Sequence, residues 1–318
     1  MKLALIDLGS NSARMDLVHL HTDGSSQYLS RDRIMTRLSE GMGTEKILRE
    51  LPMTRTIKAL SAFSEKSRSA GAEILAVATA AVRSAKNGSA FCSAVEKETG
   101  IRLHVISGQQ EAALDFAGVM AGLPHVKDCL ITDTGGGSTE LILVKNRQIC
   151  AKTSLPFGAV NLFETYSCSD TKTALNQAAA ELDSSFSAVD FLPRAQNLPL
   201  VGLGGSVCSL FYAGQKLLPE HTPAKLHGCA FSFAEVLEIF SRLSALFPEA
   251  RQNAGIEPER AKTVCHGILP TILLMNRLDS PKLFLSAAGL REGILAKISS
   301  GKPETFMKNM ELFFTRLV

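Results

Sequence analysis

Two short segments of the chain join an aspartate to glycine and serine at matching positions. Leu5-Ile6-Asp7-Leu8-Gly9-Ser10-Asn11-Ser12 lies over Ile131-Thr132-Asp133-Thr134-Gly135-Gly136-Gly137-Ser138 with Asp on Asp, Gly on Gly and Ser on Ser, and Leu17-Val18 then falls on Leu143-Val144. A Gly/Ser turn presents consecutive backbone N–H groups with no Cβ in the way, the arrangement that surrounds phosphate oxygens. An aspartate at the strand end repels a bare phosphate. It becomes useful when a divalent cation lies between the two, or when it orients a water. A third glycine segment, Gly202-Leu203-Gly204-Gly205-Ser206, precedes residues of helical character from Val207 to Tyr212, so it reads either as an anion site at a helix N-terminus or as a plain strand-to-helix turn.

Each of the first two segments must be a hairpin, because an apolar arm of strand character (Met15 to Leu20; Leu141 to Val144) follows the turn where a P-loop or dinucleotide fingerprint would start a helix. Two aligned hairpins imply two homologous lobes. Between them the pattern alternates: helix over Thr54–Ala70, strand over Glu73–Ala78, helix over Ser89–Glu98, strand over Ile101–Ile106. A further helix is expected from Ser107, with Gln110 completing a capping box, as far as Gly122-Leu123-Pro124, where the domain boundary is placed: 1–123 and 124–318. The second half repeats the theme, with helices over Thr173–Ala188, Phe233–Ala245, Pro258–Arg277 and Pro303–Arg316 and a strand over Leu198–Leu203.

Composition bounds the rest. The 318 residues suit two domains; 34 Lys and Arg against 31 Asp and Glu give a net charge of only +3, too little for a protein that coats nucleic acid or a membrane surface. Seven cysteines without a CxxC pair argue for reduced thiols and against a disulfide framework or thiolate zinc site. The apolar run Leu3–Ile6 is cut by Asp7, too short for a signal peptide, and no run is long enough to span a membrane, so a cytoplasmic protein is expected. Arg31, Arg33 and Arg37 form a basic cluster that is either a solvated face or a guide for a polyanion. The stripe Phe306, Met310, Phe313, Leu317 reads as core or a dimer seam, and His227 as a packed or surface histidine or a participant in a site.

In this order, Ile6–Ser12, Ala78-Thr79-Ala80-Ala81-Val82-Arg83, Ile106-Ser107-Gly108-Gln109-Gln110-Glu111-Ala112, Asp133–Glu140, Leu155-Pro156-Phe157-Gly158-Ala159-Val160 and Gly289-Leu290-Arg291-Glu292-Gly293 resemble the exopolyphosphatase and guanosine pentaphosphate phosphohydrolase family in its short, two-domain form, over almost the whole chain. The resemblance implies an α/β protein of two actin-like, ribonuclease H-like lobes of the sugar kinase/actin superfamily with an interdomain cleft. It implies Mg²⁺- or Mn²⁺-assisted release of terminal phosphate from inorganic polyphosphate or guanosine pentaphosphate, and a homodimer. Carried onto this chain, Glu111 is the catalytic base and Asp133 positions metal or water, with Asp7, Asp133 and Glu111 as metal ligands. Gly135, Gly136, Gly137 and Ser138 cradle phosphates with Asp7, Gly9, Ser10, Asn11 and Ser12 opposite, while Arg14 and Arg83 clamp oxygens with their guanidinium forks. Gly204, Gly205 and Ser206 contact nucleotide or chain. In-line hydrolysis needs such a carboxylate to take the water's proton; without the resemblance, Glu111 reads as an acid complementing a helix dipole.

Three positions depart from the family. Gln110 stands where a second acid is common and is read as structural; Asp16 stands where an apolar residue is usual, disturbing strand packing or lying at an exposed edge; Ser286-Ala287-Ala288 lacks a charged residue. No C-terminal HD-like domain is expected. The competing functions are an acceptor-dependent kinase of the same fold and a sensor that binds guanosine tetraphosphate or polyphosphate.

Overall fold

Both expected hairpins are present, and each begins a sheet with the same strand order. The computed structural model describes residues 1–167, 171–220 and 224–299, and the chain divides into two units: Met1–Gly118 with the helix Leu290–Ser299, and Val119–Gly289. The first unit contains β1 (Lys2–Leu8), β2 (Ser12–Leu20), β3 (Ser26–Met35), α1 (Glu50–Ser69), β4 (Glu73–Ala78), α2 (Ala80–Ser84), α3 (Gly88–Thr99), β5 (Leu103–Val105) and the start of α4 (Gly108–Gly122). Its sheet runs β3-β2-β1-β4-β5, antiparallel across the first three strands and parallel across the last three. The second unit contains β6 (Cys129–Thr134), β7 (Thr139–Lys145), β8 (Gln148–Leu155), α5 (Ala159–Tyr166), α6 (Thr171–Ser187), β9 (Leu200–Leu203), α7 (Gly205–Leu217), β10 (Ala230–Ser232), α8 (Phe233–Ala245), α9 (Pro248–Arg251), α10 (Val264–Arg277) and β11 (Lys282–Leu285). Its sheet runs β8-β7-β6-β9-β11-β10: the same five-strand plan, with β10 added antiparallel at the edge. This is the ribonuclease H-like lobe, found twice in one chain.

Alternation along β1 decides which face covers what. Ala4, Ile6 and Leu8 pack under α1 and α3 with Leu60, Phe63, Phe91 and Val95, whereas Leu3 and Leu5 pack with Leu114 of α4 and with Leu290 and Ile294 of α11 (Leu290–Ser299). Because α11 returns to the first unit, the division differs from the boundary expected at residue 123, and α4 runs through it. Gly293 explains how closely α11 sits on α4: a Cβ there would stand 1.9 Å from the Leu114 carbonyl oxygen.

The same return explains Asp16. Expected to disturb packing or to lie at an edge, it sits on the interior strand β2, between β3 and β1, fully buried, where Arg291 at the start of α11 forms an ion pair with its Oδ1. Arg31 Nη2 meets Glu292 Oε1 at 3.1 Å beside it. The charged positions of the Gly289–Gly293 segment thus pin α11 to the sheet.

Element ends otherwise shift by a few residues, except that the helix expected over Pro258–Arg277 is a 3₁₀ turn, Pro258–Arg260, followed by α10. Cys168, the helix expected over 303–316 and the Phe306, Met310, Phe313, Leu317 stripe lie outside the described residues. Among the described residues no helix is long and apolar enough to cross a membrane.

Candidate active site

The two turns share one backbone geometry. Gly9 N–H donates to Ser12 O at 3.0 Å, and Gly135 N–H donates to Ser138 O at 3.0 Å. In each, the carbonyls are tied back by a neighbouring segment. Arg37 N–H reaches Asn11 O at 2.9 Å and Ser39 N–H reaches Ser10 O at 3.0 Å; in the second unit Ala159 N–H reaches Gly135 O and Val160 N–H reaches Gly136 O, both at 2.9 Å. The N–H groups of Ser10, Asn11, Gly136 and Gly137 have no hydrogen-bond partner among the described residues, so they are available to an anion.

Gly158 makes the second arrangement possible. Its φ of −157° is extended backbone open to any residue, but a Cβ would stand 2.6 Å from Gly135 O, Gly136 C and Gly137 N. Asn161 locks the junction: Gly158 N–H donates to its Oδ1 at 2.6 Å, and its Nδ2 donates to Gly137 O at 3.4 Å.

Register distinguishes the two turns. Asp7 stands directly opposite Arg14 across β1–β2, whereas Asp133 stands opposite Glu140 across β6–β7. Burial pushes the Asp7 carboxyl above its usual range, opposed by the guanidiniums of Arg14 and Arg291. Glu140, to which no role fell in the sequence, is buried and accepts from Ser154 Oγ at 2.7 Å. No group of three or more His, Cys, Asp or Glu side chains that could hold an ion occurs among the described residues. Two carboxylates paired beside a phosphate-sized turn nevertheless fit a magnesium-type ion, which takes one or two carboxylates and completes its shell with water and phosphate oxygens.

Glu111 lies in the first turn of α4. Arg83 Nη1 donates to Glu111 Oε2 at 2.8 Å and to Ile106 O at 2.9 Å, so the base candidate and the clamp candidate are brought together in the first unit. The turn beneath them is a capping box: Ser107 N–H donates to Gln110 Oε1 at 2.7 Å and Gln110 N–H to Ser107 Oγ at 3.2 Å. Gln110 therefore does structural work that an acid at that position would do equally.

Gly204 and Gly205 open α7. A Cβ on Gly204, whose φ is +86°, would stand 2.8 Å from Asp133 Oδ1, and one on Gly205 would stand 2.1 Å from Arg260 Cζ. The glycines bring a helix N-terminus against Asp133 and seat Arg260, whose Nε donates to Glu257 Oε2 at 2.8 Å. Ser206 is buried against Gly267. His227 is a backbone tie: Ala287 N–H donates to Nδ1 at 3.1 Å, which leaves Nε2 as the protonated nitrogen, 3.0 Å from Gly122 O. Ser286 Oγ closes the uncharged segment onto Ala288 O at 2.7 Å.

Residues 17–300 match the model of the family described as the Ppx/GppA phosphatase family. A Vibrio vulnificus protein named guanosine-5'-triphosphate,3'-diphosphate pyrophosphatase is 30% identical over 299 residues, 93% of this chain and 59% of its own length, so the chain spans little more than half of that relative. The solved Aquifex aeolicus Ppx/GppA family member is 27% identical with a TM-score of 0.75, over 97% of this chain and 99% of its own. A Cytophaga hutchinsonii exopolyphosphatase superposes with a TM-score of 0.86 at 23% identity, over 95% and 98% of the two chains, a likeness of fold.

Proposed function

The chain belongs to the Ppx/GppA phosphatase family, and from that premise we propose that it is a phosphohydrolase releasing terminal phosphate from inorganic polyphosphate, guanosine pentaphosphate or both. The observation that carries this reading is the repeated turn, with amides in both units that make no hydrogen bond among the described residues, together with the Arg83–Glu111 pair in the first unit. Glu111 accepts the proton of the attacking water, and Arg83 fixes the direction of its carboxylate. In the first unit the amides of Ser10 and Asn11, with Arg14, take phosphate oxygens as negative charge spreads over them, and in the second unit the amides of Gly136 and Gly137 offer the same kind of contact.

Asp133 with Glu140 would hold Mg²⁺ or Mn²⁺, which supplies charge neutralisation at the phosphates. Asp7, facing Arg14, is better suited to orienting that guanidinium than to ligating a cation, and Glu111, paired with Arg83, to proton transfer. The same membership supports a cytoplasmic homodimer. The family resemblance and the capping role of Gln110 favour hydrolysis over the kinase and sensor readings.

The test is phosphate release with Mg²⁺ from long polyphosphate and from guanosine pentaphosphate in parallel, with Glu111→Gln as control. Release that depends on Glu111 is expected, and the ratio of the two rates chooses the substrate. Turnover by Glu111→Gln equal to that of the unsubstituted protein would sink the assignment.

A further inference from the structure

The carbonyls of the first phosphate turn are held from outside it. Ser10 O lies in the same peptide plane as Asn11 N–H, so the bond it accepts from Ser39 N–H at 3.0 Å decides which way that amide points. Ser39 Oγ adds a contact to the same oxygen at 3.3 Å. Two residues earlier, Arg37 N–H holds Asn11 O at 2.9 Å. Whatever fixes residues 37 to 39 therefore fixes the turn.

Burial fixes only part of that segment. Thr36 and Leu38 are fully buried, and Leu38 joins the core beneath α1 and α3. This sets the depth of the segment but not the twist of the backbone between the two residues. Arg37, between them, is exposed and left-handed, with φ +47°. A residue with a Cβ is strained in that conformation and keeps it only where the surroundings impose it.

Arg55 of α1 supplies the constraint. Its Nε donates to Thr36 O at 2.5 Å and its Nη2 to Arg37 O at 3.3 Å, so one planar guanidinium grips the carbonyls on both sides of the strained residue. Thr36 O and Arg37 N–H belong to a single peptide, which Arg55 holds at one end and Asn11 O at the other. Nη2 also meets Glu40 Oε2 at 2.7 Å, and Glu40 N–H closes back on Arg37 O at 3.0 Å. In the second unit the equivalent ties come from Ala159 and Val160, at the start of a helix that needs no such clamp.

We propose that Arg55 is a positioning residue for the phosphate turn of the first unit, acting through residues 36–39 to set the direction of the Asn11 amide. The inference rests on the phosphate-turn reading above and names what keeps that turn in shape.

Two readouts on the full chain, one of geometry and one of chemistry, decide it. In Arg55→Gln the N–H groups of Arg37 and Ser39 exchange with deuterium about tenfold faster. Phosphate release with Mg²⁺ from long polyphosphate or guanosine pentaphosphate falls about tenfold in kcat, with KM within about twofold, because the turn's amides act most strongly as charge spreads over the phosphate oxygens. Melting moves by less than about 4 °C, since the arginine side chain is 40% exposed. Arg55→Lys keeps the charge without the fork and recovers no more than about threefold of the loss. Glu40→Gln leaves both carbonyl contacts in place, and Arg49→Gln removes a guanidinium bound at 2.7 Å to Gly41 O of the same loop; both stay within about twofold on either readout.

Unchanged exchange at both amides, faster exchange with unaltered kcat, an equal loss in Arg49→Gln, or full recovery by lysine overturns the proposal. Absence of release by the unsubstituted protein overturns the hydrolase reading alone, and the exchange rates then decide whether Arg55 holds the turn.

Discussion

Replacing Gly158 by alanine is expected to damage the second unit more than replacing Gly135, although only Gly135 lies in the phosphate turn. At Gly158 the new Cβ meets three backbone atoms at 2.6 Å, and ordinary contact begins near 3.4 Å, so turn and helix must separate by about 0.8 Å. No side chain can rotate away to absorb this, and the 2.9 Å bonds from Ala159 and Val160 to the turn lengthen together. Overpacking of this kind costs about 2 kcal/mol, roughly 4–8 °C in melting temperature for a unit of this size. At Gly135 the Cβ stands 3.4 Å from Ser138 O, an ordinary contact, and melting is expected to move by less than about 2 °C. Differential scanning fluorimetry gives the first comparison. Phosphate release below both transitions gives the second, because displacing a turn by nearly an ångström costs about a hundredfold in rate. Gly135→Ala also loses release, since its methyl group occupies the ligand's approach, but it keeps its melting point. A Gly158→Ala protein with unaltered melting and release would refute the reasoning.

Asp16→Asn leaves Arg291, whose side chain is 13% exposed, without its counter-charge, and chemical denaturation is expected to show a loss of about 3 kcal/mol. Exchanging both residues for leucine recovers most of that loss; a double variant as weak as the single one would show that the pair is not the cause. Burial, with Arg251 nearby, pushes the His266 imidazole down to about 4. The unfolded chain binds its proton near pH 6.5 and the folded chain only near 4, so stability from this group is full above 6.5 and falls by about 3 kcal/mol towards 4. His266→Leu flattens that slope in melting scans between these two pH values, and an unchanged slope counts against the assignment. Glu111→Gln lowers the turnover number by about a hundredfold or more with little change in substrate binding, as expected of a lost general base.

The features legible in the sequence are those whose cause is local. The twin hairpins follow from a Gly/Ser turn between two arms of strand character, and the Ser107–Gln110 capping box from spacing alone. Glu140 could have been found the same way, since a four-residue turn between Asp133 and its returning arm sets the register. Features made by approach in space were not legible. Gly158 matters because the backbone of Gly135–Gly137 presses on it, and Asp16 is tolerable because Arg291 arrives from 275 residues away. Nothing near Pro124 records that α11 rejoins the first unit, for the same reason. Arg31 and Arg33 look alike in sequence and are separated by the residue opposite each in the strand pairing, Asp16 for one and Arg14 for the other.

A chain that repeats one fold within itself inherits a degeneracy: two sockets of the same shape, and nothing in that shape to tell a ligand which is which. One register position lifts it, with arginine at 14 and glutamate at 140 facing equivalent aspartates. One aspartate has a positive charge across the strand pair, and the other has a second carboxylate there. The polarity of the repeat is thus written by two side chains onto a scaffold that is otherwise its own echo.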